Sequence, residues 1–188
     1  MSRILIVDDE DSILKALQRL LRLAPCAYGN QTFTLDVHAF NTPQAALEAV
    51  RHEEFDLLIS DYRMPVIDGI EFLKAAKAIQ PDAARLILSG YADLNALVRA
   101  VNEVGIERFI GKPWNDYDLM SAIGQALAHR ELLLENRELA NLVRVEMGDI
   151  SPEQVEAERL ERIEPGITEV NWGPDGSVVI DPEFQTKS

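Results

Sequence analysis

Short apolar runs alternate with stretches of helical apolar spacing through most of the chain. "RILIV" (3–7) is a compact apolar run that ends in the acidic turn "DDEDS". The following "ILKALQRLLRL" places Ile13, Leu14, Leu17, Leu20 and Leu21 on one helical face, so the pattern predicts strand, acidic turn, helix. "FTLDVHAF" (33–40) alternates as a strand does, and "TPQAALEAVRH" opens with a Thr cap and a Pro in the first turn of a helix. "FDLLIS" (55–60) predicts a third strand. "GIEFLKAAKAI", "ARLILSG", "LNALVRAVNEV" and "ERFIGKP" continue as helix, strand, helix, strand. Five such alternations predict a doubly wound parallel sheet with helices on both faces, because each parallel crossover needs a helix to return the chain. The loop "APCAYGNQTFT" before the second strand has no assigned role.

From residue 116 a helical pattern runs on through "LMSAIGQALAHRELLLENRELANLVRVE". Leu132, Asn136, Leu139 and Val143 read as alternating d and a positions of a short heptad seam. Such a seam predicts pairing of two copies, the alternative being an amphipathic helix covered by its own C-terminal tail. After Gly148, Ser151 as cap, Pro152 at the first helical position and Gln154 three residues after the cap mark another helix start. "ITEVNW", "GPDG" and "SVVID" then read as a β-hairpin, which is marginal unless it packs on something else. The expected division is 1–128 for the sheet domain, 129–147 for the extended helix and 148–188 for an acidic helix-and-hairpin tail.

Charge sharpens this picture. The chain of 188 residues carries a formal −14, and residues 146–188 hold 11 Asp/Glu against 3 Lys/Arg. This lacks the basic footprint of a nucleic-acid binder. No apolar run is long enough to span a membrane, no signal peptide is indicated, and a single cysteine, Cys26, excludes an internal disulfide. The expectation is a cytoplasmic protein with no membrane partner. His38, His52 and His129 are scattered without ligand spacing.

In a doubly wound sheet, chemistry gathers at the carboxyl ends of the strands. The first predicted strand ends at Asp8 and Asp9, the third at Asp61, the fourth at Ser89, and the fifth just before Lys112. Asp8 and Asp9 alone suit a helix N-terminal cap as well as a metal site. With Asp61 on the same edge, an oxygen-only carboxylate set favours a hard divalent cation such as Mg²⁺. Lys112 precedes Pro113 and is predicted to be extended, with a phosphate or carboxylate partner; a cis bond there is one option.

"VDDE" (7–10), "DYRMPVIDG" (61–69), "LSGYA" (88–92) and "FIGKPW" (109–114) together resemble the receiver domain of two-component response regulators. The resemblance implies a flavodoxin-like five-stranded parallel sheet of order 2-1-3-4-5. It implies that Asp61 accepts a phosphoryl group from a sensor histidine kinase or phosphotransfer protein. It also implies that Asp8, Asp9, Asp61 and the main-chain carbonyl of Arg63 hold Mg²⁺, with Asp8 acting mostly through water. Lys112 would pair with a phosphoryl oxygen, Ser89 would bind another, and Phe109 would be the switch aromatic. Arg63 and Tyr91 occupy places where large side chains screen the acyl phosphate from water. Met64, Pro65, Asp68 and Gly69 are expected to be structural. "KPW" is also found in receivers coupled to cyclic-di-nucleotide hydrolases. No cyclase, phosphodiesterase or helix-turn-helix signature follows, so the expected output is a switched protein–protein or dimer surface rather than an enzyme. The alternative is a phosphorelay intermediate or phosphate sink with a structural tail.

Overall fold

The computed structural model describes residues 1–90 and 104–163. The chain begins with β1 (Ser2–Val7) and α1 (Asp11–Leu23), followed by two short strands, β2 (Cys26–Tyr28) and β3 (Gln31–Phe33). Next come β4 (Leu35–Phe40), α2 (Pro43–His52), β5 (Leu57–Asp61), α3 (Gly69–Ile79) and β6 (Ala84–Ser89). After the undescribed stretch follow β7 (Arg108–Gly111), the 31-residue α4 (Asp116–Glu146) and α5 (Pro152–Ile163). The expected helix over "LNALVRAVNEV" and the expected C-terminal hairpin fall, except for Val104, outside the described residues.

Five strands form one sheet of order β4-β1-β5-β6-β7, every neighbouring pair parallel. Numbering only these strands gives 2-1-3-4-5, the order the resemblance implied. β5 and β6 are buried along their whole length, as strands covered on both faces must be, and this is why they appear as continuous apolar runs rather than alternations. Successive strand side chains point to opposite faces, and the core divides accordingly. Ile4, Ile6, Leu57, Ile59, Leu86 and Leu88 pack with α1 and α4 on one face. Leu5, Val7, Leu58 and Ile87 pack with α2 and α3 on the other.

The helix starts follow local chemistry. Thr42 accepts a hydrogen bond from the Ala45 N–H at 3.3 Å, capping α2, and Asp68 accepts one from the Glu71 N–H at 2.9 Å, capping α3. Neither Asp8 nor Asp9 caps α1. Its N-cap residue is Glu10, with no side-chain cap bond, while Asp8 accepts the Glu10 N–H at 2.9 Å.

The second-strand reading needs correction. "FTLDVHAF" is not one strand: Phe33 ends β3 and the sheet strand begins at Leu35. The loop without a role is a small antiparallel hairpin in which Cys26 pairs with Phe33. Gly29, at φ +58°, takes the first central place of its two-residue turn, a backbone state open to glycine without steric cost. Cys26 and Phe33 are buried in the α1/α4 core, and burial pushes the Cys26 thiol up to about 11. It is therefore a packing residue, because the reactive form is the thiolate.

By compactness the chain divides into Met1–Arg137 and Glu138–Ser188. In the second unit the expected capping box is formed. The Ser151 N–H donates to Gln154 Oε1 at 2.8 Å, and the Gln154 N–H donates to Ser151 Oγ at 3.2 Å. No helix among the described residues is long and apolar enough to cross a membrane.

Candidate functional site

The strand order reverses between β1 and β5: the chain passes from β1 out to β4, then back across to β5. At such a switch point the connections leave in opposite directions and open a crevice at the carboxyl ends. Asp8 and Asp9 follow β1 there, and Asp61 is the last residue of β5. Carboxylate oxygens of all three lie within 4.8 Å of one another. Asp8 and Asp61 are buried and Asp9 is exposed, so the crevice has two fixed acids at its floor and one at its rim.

Lys112 reaches this floor from the residue after β7. Its Nζ lies 2.6 Å from Asp8 Oδ2 and 2.5 Å from Asp61 Oδ1. Its backbone N–H donates to the Ser89 carbonyl at 2.8 Å, which ties the lysine to the end of β6. The Lys112–Pro113 peptide is cis, the option that the sequence left open. Burial acts to lower the Lys112 pKa, but the hydrogen bonds to Asp61 and Asp8 outweigh it and hold the ammonium above its ordinary value. The Asp61 pKa is raised too, which for a carboxylate disfavours the charged form: burial raises it, and the Lys112 hydrogen bond offsets only part of that.

The loop after Asp61 is folded back by its own backbone. The Arg63 N–H donates to Asp61 Oδ2 at 3.0 Å, the Tyr62 N–H to the Leu88 carbonyl at 2.8 Å, and the Gly69 N–H to the Tyr62 carbonyl at 2.9 Å. Ser89 ends β6 beside Gly111 of β7, and its Oγ donates to the Gly90 carbonyl at 3.0 Å. Phe109, on β7, is half-buried against the α2/α3 core. The structure thus brings Asp8, Asp9, Asp61 and Lys112 together and sets Ser89 and Phe109 on adjoining strands. Tyr91 lies outside the described residues.

Three carboxylates against one ammonium leave a formal −2 in a crevice lined by oxygen donors. That donor set suits Mg²⁺, which prefers carboxylate, carbonyl and water oxygens. Sequence reasoning anticipated a carboxylate or phosphate partner for Lys112 but not that one ammonium would bridge both buried acids. It also missed the role of Gly69: a Cβ there would lie 2.1 Å from the Asp61 carbonyl oxygen and 2.8 Å from Ser60 Oγ. Only a residue without a side chain lets α3 begin this close to the end of β5.

One residue of the loop is strained. Val66 sits at φ +77° and is 86% exposed, a left-handed conformation that a β-branched side chain disfavours. Asn tolerates this region better. Val66→Asn is therefore expected to raise unfolding stability by about 1 kcal/mol, measured by urea denaturation; an unchanged or lowered midpoint would contradict that account.

Comparison with known proteins agrees with this geometry. Residues 4–124 match the family model described as the response regulator receiver domain. The hydrogenase transcriptional regulatory protein HoxA of Bradyrhizobium diazoefficiens is 32% identical over 126 residues, 66% of this chain and 24% of that protein. The transcriptional regulatory protein FixJ of the same organism is 31% identical over 151 residues, 80% of this chain and 69% of that protein. Against HoxA and several similar relatives, the chain spans only about a quarter of their length. Among solved structures, the signal receiver domain of an HD domain-containing protein from Pseudomonas fluorescens superposes with a TM-score of 0.59 at 35% identity, covering 69% of this chain and 97% of that one.

Proposed function

Because the chain belongs to the response regulator receiver family, we propose that it accepts a phosphoryl group on Asp61 and passes the resulting change to a protein partner. The observation that carries this reading is the buried Asp61 carboxylate, at the switch point of the sheet, with the Lys112 ammonium 2.5 Å away and two further carboxylates beside it.

In the proposed reaction one Asp61 oxygen attacks phosphorus in line as the bond from phosphorus to nitrogen in the donor's ring-protonated phosphohistidine breaks, leaving an acyl phosphate and a neutral imidazole that keeps the ring proton. Lys112, already at the carboxylate, pairs with a phosphoryl oxygen and balances the developing charge. Asp8, Asp9, Asp61 and the Arg63 carbonyl are the groups that would hold Mg²⁺, whose charge offsets repulsion between the acids and the incoming phosphoryl oxygens. Ser89 exchanges its bond to the Gly90 carbonyl for one to the phosphoryl group. Phe109 then packs inward, since it has no hydroxyl with which to make a new bond. This alters the surface around β7.

The readout we favour is a protein contact. The acidity of residues 146–188, 11 Asp/Glu against 3 Lys/Arg, opposes nucleic-acid binding. Leu132, Leu139 and Val143 are exposed along α4, with Asn136 at the heptad spacing between them. This supports pairing of two copies through that helix.

The test is phosphorylation of the purified chain by a small acyl phosphate donor or a phosphorylated sensor kinase. Label is expected to need Mg²⁺, to be lost to EDTA added beforehand, and to be released by neutral hydroxylamine, which cleaves acyl phosphates. Label that forms equally well in EDTA, or that resists hydroxylamine, rules this reading out.

A further inference from the structure

The opposite edge of the sheet holds a second set of charges. Three acids stand at the amino ends of the strands: Asp56 immediately before β5, Asp82 two residues before β6, and Glu107 immediately before β7. α4 supplies three basic residues to them. Arg130 Nη1 lies 2.8 Å from Asp56 Oδ1, and its Nε donates to the Asp82 carbonyl at 2.9 Å. Arg137 makes a two-pronged contact with Asp82, at 2.6 and 2.8 Å. His129 Nδ1 stands 3.6 Å from Glu107 Oε2.

Arg130 and Arg137 are seven residues apart, so both lie on one face of the helix, two turns from each other. Leu133 and Leu134 lie on the same face between them and line one hollow with Asp82 and Glu107, yet neither is buried: Leu134 is half-buried and Leu133 is 49% exposed. The apolar seat of α4 has ended before this stretch: its buried residues run from Leu119 to Leu127. Ala128 still packs against the core, but from residue 129 to 137 no side chain of the helix is fully buried, and its bonds to Asp56, Asp82 and Glu107 are ionic or hydrogen-bonded. Asp56 is itself fixed, accepting the Arg3 N–H at 2.7 Å, while its backbone carbonyl accepts the Ala84 N–H at 2.9 Å. The compact unit closes at Arg137.

We propose that this seam is an electrostatic latch that keeps α4 seated on the sheet beyond its apolar core and fixes Arg137 as the last anchored residue. Two of the latch acids, Asp56 and Asp82, stand just before the two buried strands that end in Asp61 and Ser89. The strands that carry the candidate phosphoacceptor and switch serine therefore also set where the long helix is held. The two-pronged Arg–carboxylate geometry matters here: a planar fork holds one orientation, which a lysine in that place would not.

The latch makes a prediction independent of phosphorylation, read by hydrogen exchange on the full chain. Asp82→Asn is expected to speed amide exchange over residues 131–137 by about tenfold or more, with no change over 119–127, where apolar packing holds the helix. Arg137→Gln is expected to do the same, and the double variant to add little to either single one, because both remove the same contact. About 1 M NaCl is expected to reproduce part of the effect in the wild type, since these pairs are partly exposed and open to screening. Unchanged exchange in both variants, equal acceleration through 119–127, or additive effects in the double variant would each overturn the proposal.

Discussion

Asp61→Asn is expected to take up no phosphoryl group above background under conditions that label the wild type fully, while unfolding at no lower temperature in the absence of Mg²⁺. The two halves of this expectation come from the same geometry. An amide keeps the shape of the carboxylate but offers no anionic oxygen to attack phosphorus, so the covalent step has no nucleophile. Burial already raises the Asp61 pKa against the opposing pull of Lys112, which means that the folded chain holds this negative charge at a cost. The neutral isostere relieves it. Lys112 keeps its second partner, Asp8 Oδ2 at 2.6 Å, so the substitution leaves no buried ammonium unpaired. A measurement of both label and melting temperature separates loss of chemistry from loss of fold. Residual Mg²⁺-dependent label on Asp8 or Asp9 would show that the acceptor had been misassigned.

The sheet was legible because its strands are short apolar runs separated by helical spacings, and burial on both faces produces that signal in β5 and β6. The candidate site was legible for a related reason. Once the strands are placed, the residues after them must share an edge, and Asp8, Asp9, Asp61, Ser89 and Lys112 could be grouped without any coordinates. What stayed hidden has no local signature. The β2–β3 hairpin consists of two three-residue strands, shorter than the runs from which alternation can be read. The Lys112 bridge and the Asp82–Arg137 fork join residues 104 and 55 positions apart. Nothing in either segment announces its partner. Asp68 and Gly69 could be read as a helix start, and the Asp68 cap agrees with that. The requirement at Gly69 lies in space rather than in sequence, in how near the backbone of β5 passes.

Among the glycines whose surroundings are described, that requirement sets the closest contact an added methyl group would meet. Gly69 is the first residue of α3, and helix propensity alone predicts that alanine there stabilises by up to about 1 kcal/mol. The contact predicts the opposite sign. The added Cβ would stand 2.1 Å from the Asp61 carbonyl oxygen and 3.0 Å from its carbonyl carbon, so the clash is with backbone and no side-chain rotation relieves it. α3 cannot slide away freely, because Asp68 caps it and the Gly69 N–H is bound to the Tyr62 carbonyl at 2.9 Å. Overpacking against a rigid neighbour costs about 3 kcal/mol, and the net effect of Gly69→Ala is expected to be a fall of about 5–10 °C in melting temperature. Gly90→Ala serves as the comparison, because a Cβ at Gly90 meets nothing within 4 Å, and its effect is expected to stay within about 0.5 kcal/mol. If Gly69→Ala melts at or above the wild-type temperature, the close approach of α3 to β5 is not what constrains the acceptor's loop. If it melts lower and also takes up phosphoryl groups more slowly at temperatures where it remains folded, the same contact that seats α3 also sets the position of Asp61.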